Sequence, residues 1–165
     1  MLHEDLLGTL AEVAVSFAGF AGLVSVFGER AEAPRHAFDI FDRVAMIGFG
    51  VQATAFALLP RIVVALGAAE PLAWRLSGAL LAAVLLAWSL YGASRRRQIA
   101  RAVGASAREA RDWLPLAGVL ISVALAALIL FRPAERVAGI YVSALFGMLA
   151  FSAAYFLRML VPRSR

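Results

Sequence analysis

The stretch LAWRLSGALLAAVLLAWSLYGASRRR, residues 72–97, decides how this chain is read. From Leu76 to Ala93 it carries no charge, and it then runs straight into Arg95, Arg96 and Arg97. A helix needs about 20 mainly apolar residues to cross roughly 30 Å of hydrocarbon. The block 72–92 meets that requirement, and the arginines that follow it would stop at the membrane surface.

Four more blocks of the same kind lie near 6–27, 44–66, 114–131 and 137–160. The expected fold is therefore all-α: a polytopic membrane helical bundle with five transmembrane helices, forming a single integral membrane domain over 1–165. Composition agrees, with 62% hydrophobic residues, 16% charged residues and a mean hydropathy of +0.83. Soluble domains lie nearer one half apolar and about a quarter charged. The chain begins Met1-Leu2-His3-Glu4-Asp5, without the positive n-region of a cleavable signal. The first block is accordingly read as a retained span.

All 16 basic residues are arginine, and they are shared unevenly between the connections. With five spans, one side holds Arg30, Arg35, Arg43, Arg95, Arg96, Arg97, Arg101, Arg108, Arg111, Arg158, Arg163 and Arg165. The other side holds Arg61, Arg75, Arg132 and Arg136. Positive residues favour the cytoplasmic side, which places the N-terminus outside and the C-terminus inside a cytoplasmic (inner) membrane. Losing any one span would scramble this partition, so the asymmetry also supports the count. It explains the pI near 10.9 as well, and no nucleic-acid partner is expected.

Short outer connections at 67–71 and 132–136 make antiparallel neighbours of spans 2 and 3 and of spans 4 and 5. The inner connections are longer. Residues 36–43 pair Asp39 with Arg43 at helical spacing, and Asp39 and Asp42 fit a solvated helix start. Residues 93–113 form a basic cytoplasmic helical hairpin, broken at Gly104. Trp74, Trp88, Tyr91, Trp113 and Tyr155 lie toward segment ends, where amphipathic rings favour the interface.

In lipid, small residues mark the faces on which helices approach closely. The expected contact stripes are Gly8-Glu12-Ser16-Gly19 on span 1 and Gly50-Thr54-Ala57-Arg61 on span 2. Gly78-Ala82-Leu85-Ser89-Gly92 marks span 3, and Ser143-Gly147-Ala150-Ala154-Arg158 marks span 5. Close packing alone accounts for most of them.

Two charges, Glu12 and Arg61, stand out within the apolar blocks, at matching depth near the outer side. An ionisable group at depth costs several kcal/mol and is a functional candidate by default. The two are expected to pair or to line one outer-facing cavity; charge exchange would then rescue the single variants. The bland alternatives are a snorkelling Arg61 and a structural clamp at Glu12. Gln52, mid-span beside Gly48, suits interhelical or intersubunit bonding, or a pore lining.

Arg95, Arg96, Arg97 and Arg101 are candidates for contact with anionic lipid, secondary to their topological role. His3-Glu4-Asp5 and His36 with Asp39 supply too few donors for a metal site. The chain has no cysteine and no lysine, no nucleophile elbow and no glycine fingerprint for dinucleotides. No cofactor and no enzymatic activity are expected.

Residues 16–22, SFAGFAG, resemble stretches of small bacterial membrane proteins, and no residue roles follow from that. Two functions compete. One is an oligomeric ion or small-solute channel or transporter, lined by Glu12, Ser16, Thr54, Arg61 and Gln52. The other is a non-transporting membrane subunit or scaffold that binds a membrane or cytoplasmic protein through its basic loops. A homo-oligomer within the lipid bilayer is the expected assembly.

Overall fold

The structure, a computed structural model, describes residues 2–27, 33–102, 104 and 113–160. These form α1 (Leu2–Phe27), α2 (Ala33–Ala65), α3 (Glu70–Ala102), α4 (Trp113–Phe131) and α5 (Ala134–Leu160), with no strand among the described residues. Each expected apolar block lies in one helix. The segment 36–43 is continuous with α2, and α3 runs on past the arginine triplet, as the sequence predicts. Most of the expected 93–113 hairpin's second limb, 105–112, lies outside the described residues.

Proline and glycine set the helix ends. Pro34, Pro71 and Pro115 fall in the first turns of α2, α3 and α4, where a missing N–H breaks no rung of the ladder. At the end of α2, Gly67 takes φ 95°. Its N–H donates to the Val64 carbonyl at 2.9 Å, and the Ala68 N–H donates to the Val63 carbonyl at 3.2 Å. This is a Schellman closure, which satisfies carbonyls the helix would leave orphaned. The Ala69 carbonyl then accepts from the N–H groups of Leu72 and Ala73, both at 2.9 Å, and α3 begins. The connection is even shorter than its sequence suggests.

Among the described residues, Ile40–Ala65, Glu70–Ala102 and Arg136–Leu157 are long and apolar enough to cross a membrane, and Leu116–Phe131 is a shorter apolar helix. Large apolar side chains are also left outward-facing: Phe131 is 85% exposed, Leu130 74% and Phe146 67%. Water-soluble monomers rarely leave wide apolar patches uncovered. With three long apolar helices, the chain has the make-up of a membrane-embedded helical protein.

The helices group into two compact units, Met1–Leu59 with Val142–Arg165, and Pro60–Tyr141. The boundary in α2 falls at Pro60, inside the helix, where the ring removes one backbone donor.

In the first unit, α2 packs on both α1 and α5. Gly50 lies so close to α1 that an added Cβ would stand 3.3 Å from the Ala18 Cβ and 3.4 Å from the Ala14 carbonyl oxygen. On α5, the Ser152 hydroxyl donates to the Met46 carbonyl at 2.9 Å. The Phe49 ring stacks on Phe151 at 5.9 Å and on Tyr155 at 6.0 Å, while Phe20 of α1 meets Phe156 edge-on at 5.5 Å.

In the second unit, α3 and α4 run antiparallel in close contact. A Cβ on Gly78 would lie 2.6 Å from the Ile129 Cδ1, and one on Gly118 would collide with the Ser89 hydroxyl. The separation of eleven positions from Gly78 to Ser89 is thus matched by the same separation from Ile129 back to Gly118. Trp74 and Tyr141 meet edge-on at 5.7 Å at one end of this pair.

Candidate polar faces of the helices

α1 is contacted through Leu7, Leu10 and Ala14, which are 1%, 8% and 0% exposed. Gly8 is half-buried, while Glu12, Ser16 and Gly19 are exposed. At 100° per residue, that stripe lies roughly 150° round the helix from the contact side. Built Cβ atoms at Gly8, Gly19 and Gly22 would meet nothing within 4 Å. Among the described residues, the expected contact face of span 1 is therefore not the one that packs. The interhelical space is filled by leucine and alanine, and the glycine and glutamate side is left open. The Ser16 hydroxyl donates to the Glu12 backbone carbonyl at 2.8 Å.

The other stripes divide. On α3, Gly78, Ala82, Leu85, Ser89 and Gly92 are all buried, as expected. On α2, Gly50 and Ala57 are buried, Thr54 is half-buried and Arg61 is exposed. The Thr54 hydroxyl donates to the Gly50 carbonyl at 3.1 Å. On α5 the expected stripe fails: Ser143 and Ala150 are exposed, and the buried side is Leu145, Met148, Leu149, Ser152 and Tyr155. Large residues at alternating steps of three and four, with a single serine among them, carry that contact. The side chain of Arg158 lies outside the described residues.

Gln52 is half-buried, and its Oε1 is buried without a hydrogen-bond donor among the described residues. Glu12, Ser16, Gln52 and Thr54 belong to the first unit and Arg61 to the second.

Among the described residues, two charged side chains are interior. Asp42 is 1% exposed, contrary to the solvated helix start expected for it. Helical spacing puts it in line with Ala45, Met46 and Phe49, and that register carries it into the packed side of α2. Arg96 is 2% exposed, on the ridge that continues Leu85, Ser89 and Gly92. Arg95, Arg97 and Arg101 are exposed beside it, with an Arg95 Nη donating to the Gln98 Oε1 at 3.2 Å. The triplet thus splits by register. Trp74 and Tyr155, two of the aromatic residues near segment ends, are buried at 7% and 5% exposure. Among the described residues no group of three or more His, Asp or Glu could hold a metal ion.

Comparison with family models, curated proteins and solved structures finds no match to this chain.

Proposed function

We propose that this chain is a small bacterial-type membrane protein of the cytoplasmic membrane with five spans, its N-terminus outside and its C-terminus inside. Copies of it assemble and conduct small cations between subunits. One observation carries the reading: Glu12 is exposed on an apolar helix, flanked by glycines with open space above them. A carboxylate facing hydrocarbon costs several kcal/mol, so such a group belongs against water or another helix. The interior of each unit is occupied by large side chains such as Phe49, Tyr155, Ile129 and Tyr141. A polar path would then run between copies, where gathered carboxylates would attract cations.

Ion and proton flux into proteoliposomes tests this. The wild type should conduct, and Glu12→Gln should reduce flux by about tenfold, equivalent to ~1.4 kcal/mol, with helicity and assembly unchanged. Absence of wild-type flux across varied ions, pH and voltage would overturn it.

A second reading, a non-transporting subunit that packs on another membrane protein, has its own support. The Ser16 and Thr54 hydroxyls both bond to carbonyls of their own helices, which leaves little polar lining beyond Glu12 and Gln52. Copurification of a stoichiometric partner with a flux-inactive wild type would favour it.

A further inference from the structure

The geometry points to a binding collar for anionic phospholipid headgroups at the C-terminal end of α3, formed by Arg95, Arg97 and Arg101. It rests on the membrane-embedded part of the reading above and not on conduction.

α3 has 33 residues, about 50 Å of helix, against roughly 30 Å of hydrocarbon. Its apolar stretch ends at Gly92 and Ala93, so Arg95 and Arg97 stand only about 4–8 Å further along the axis. That is the depth of the headgroup layer, about 5–8 Å on each side. Arg101 lies roughly 13 Å beyond Gly92. Side chains in a helix lean toward its N-terminus, which here is toward the membrane, so a long arginine reaches back to the same layer. An arginine preceding a span would lean the other way.

Two exposed ridges lead into the collar. Tyr91 is followed by Arg95 and Gln98, and Leu90 by Ser94, Arg97 and Arg101; all seven are exposed. Tyr91 also packs against Trp88, with ring centroids 6.0 Å apart, just below the first arginine. An aromatic group at the interface with guanidinium groups above it matches the layering of a phospholipid leaflet. Charge complementarity favours an anionic headgroup. α3 has no carboxylate after Glu70, and three exposed guanidiniums outweigh the half negative charge of the helix C-terminus. Guanidinium also binds phosphate in bidentate fashion. Arg96, buried, is not part of the collar.

The test uses the full chain, purified in neutral detergent and titrated with phosphatidylglycerol or phosphatidylcholine, with bound lipid counted by native mass spectrometry. Phosphatidylglycerol should bind more tightly, and less so as salt is raised. Arg95→Gln with Arg97→Gln and Arg101→Gln should abolish the preference, at about fivefold per arginine and up to on the order of a hundredfold in all. The matching triple lysine variant should keep most of it. Arg75→Gln with Arg132→Gln and Arg136→Gln should leave it intact. Equal binding of the two lipids by the wild type overturns the proposal, as does a preference that survives the triple glutamine change. Competition by polyglutamate without any preference for phosphatidylglycerol would assign the collar to an acidic protein and overturn it too. If the triple glutamine variant does not fold, the wild-type comparison and the lysine variant decide. Failure of the wild type to enter vesicles of either lipid would strike the membrane reading itself, a distinct result.

Discussion

The Ser152 hydroxyl donates to the Met46 backbone carbonyl across 2.9 Å, joining α5 to α2 at a buried point. The serine is 1% exposed, with Leu145, Met148, Leu149 and Tyr155 buried along the same side of its helix. A hydroxyl in that place satisfies itself on a carbonyl that the α2 ladder already uses. Ser152→Ala should therefore cost only about 0.6 kcal/mol, and less than ~2 kcal/mol, because interhelical hydrogen bonds in membranes are individually weak. Equilibrium unfolding in detergent micelles measures it. A loss well beyond that bound would mean that the bond organises more of the unit than its two partners.

Gly118 and Gly78 should respond differently to the same change. An alanine at Gly118 collides with the Ser89 hydroxyl and stands 3.2 Å from its Cβ, on a short side chain that cannot retreat. Gly118→Ala should cost roughly 1–3 kcal/mol, as overpacking does. Ser89→Gly should recover part of it. At Gly78 the obstacle is the Ile129 Cδ1, the far end of a flexible side chain, and the penalty should be smaller. Thermal melting of the three variants, in one detergent, ranks them.

Adjacent arginines should separate just as clearly. Arg96→Ala removes a side chain that is 2% exposed, and the loss of packing along its stem should destabilise the fold by a few kcal/mol. Arg97→Ala, on the exposed side, should stay within about 0.5 kcal/mol. Denaturant titration followed by tryptophan fluorescence distinguishes them. Similar losses at both positions would contradict an α3 register that buries Arg96 and exposes Arg97.

The open side of α1 supplies a test of assembly. A Cβ added at Gly19 would meet nothing within 4 Å among the described residues, so the Gly19→Leu monomer should fold and melt as the wild type does. If copies associate through this side, the bulk should weaken association by tenfold or so, about 1.4 kcal/mol. Energy transfer between labelled copies in vesicles reads the change. Unaltered association would place the contact elsewhere.

The helices themselves are legible in the sequence because long uncharged apolar runs such as 76–93 have few uses besides an apolar helix. Faces are harder. On α3 the small residues do mark the contact, since Gly78 takes Ile129 from α4 and Ser89 abuts Gly118. On α1 and α5 the expected stripes fail: Leu7, Leu10 and Ala14 carry the contact of α1, and Leu145, Met148, Leu149, Ser152 and Tyr155 that of α5, with Gly19 and Ala150 left outside. A stripe of small residues shows where a helix can come close, not which helix does. The burial of Asp42 and Arg96 escapes the sequence for a related reason. Hydropathy assigns a charge to the surface, whereas helical register aligns both with buried neighbours. A strict count of three-and-four spacing from Met46 and from Ser89 finds them.

The antiparallel match of α3 and α4 has a mechanical meaning. Sliding one past the other by a turn would bring Leu85 opposite Gly118 and withdraw Ile129 from the notch at Gly78. The bulk of a leucine where only a serine fits makes that displacement costly. This pair therefore behaves as a strut that resists telescoping in that direction.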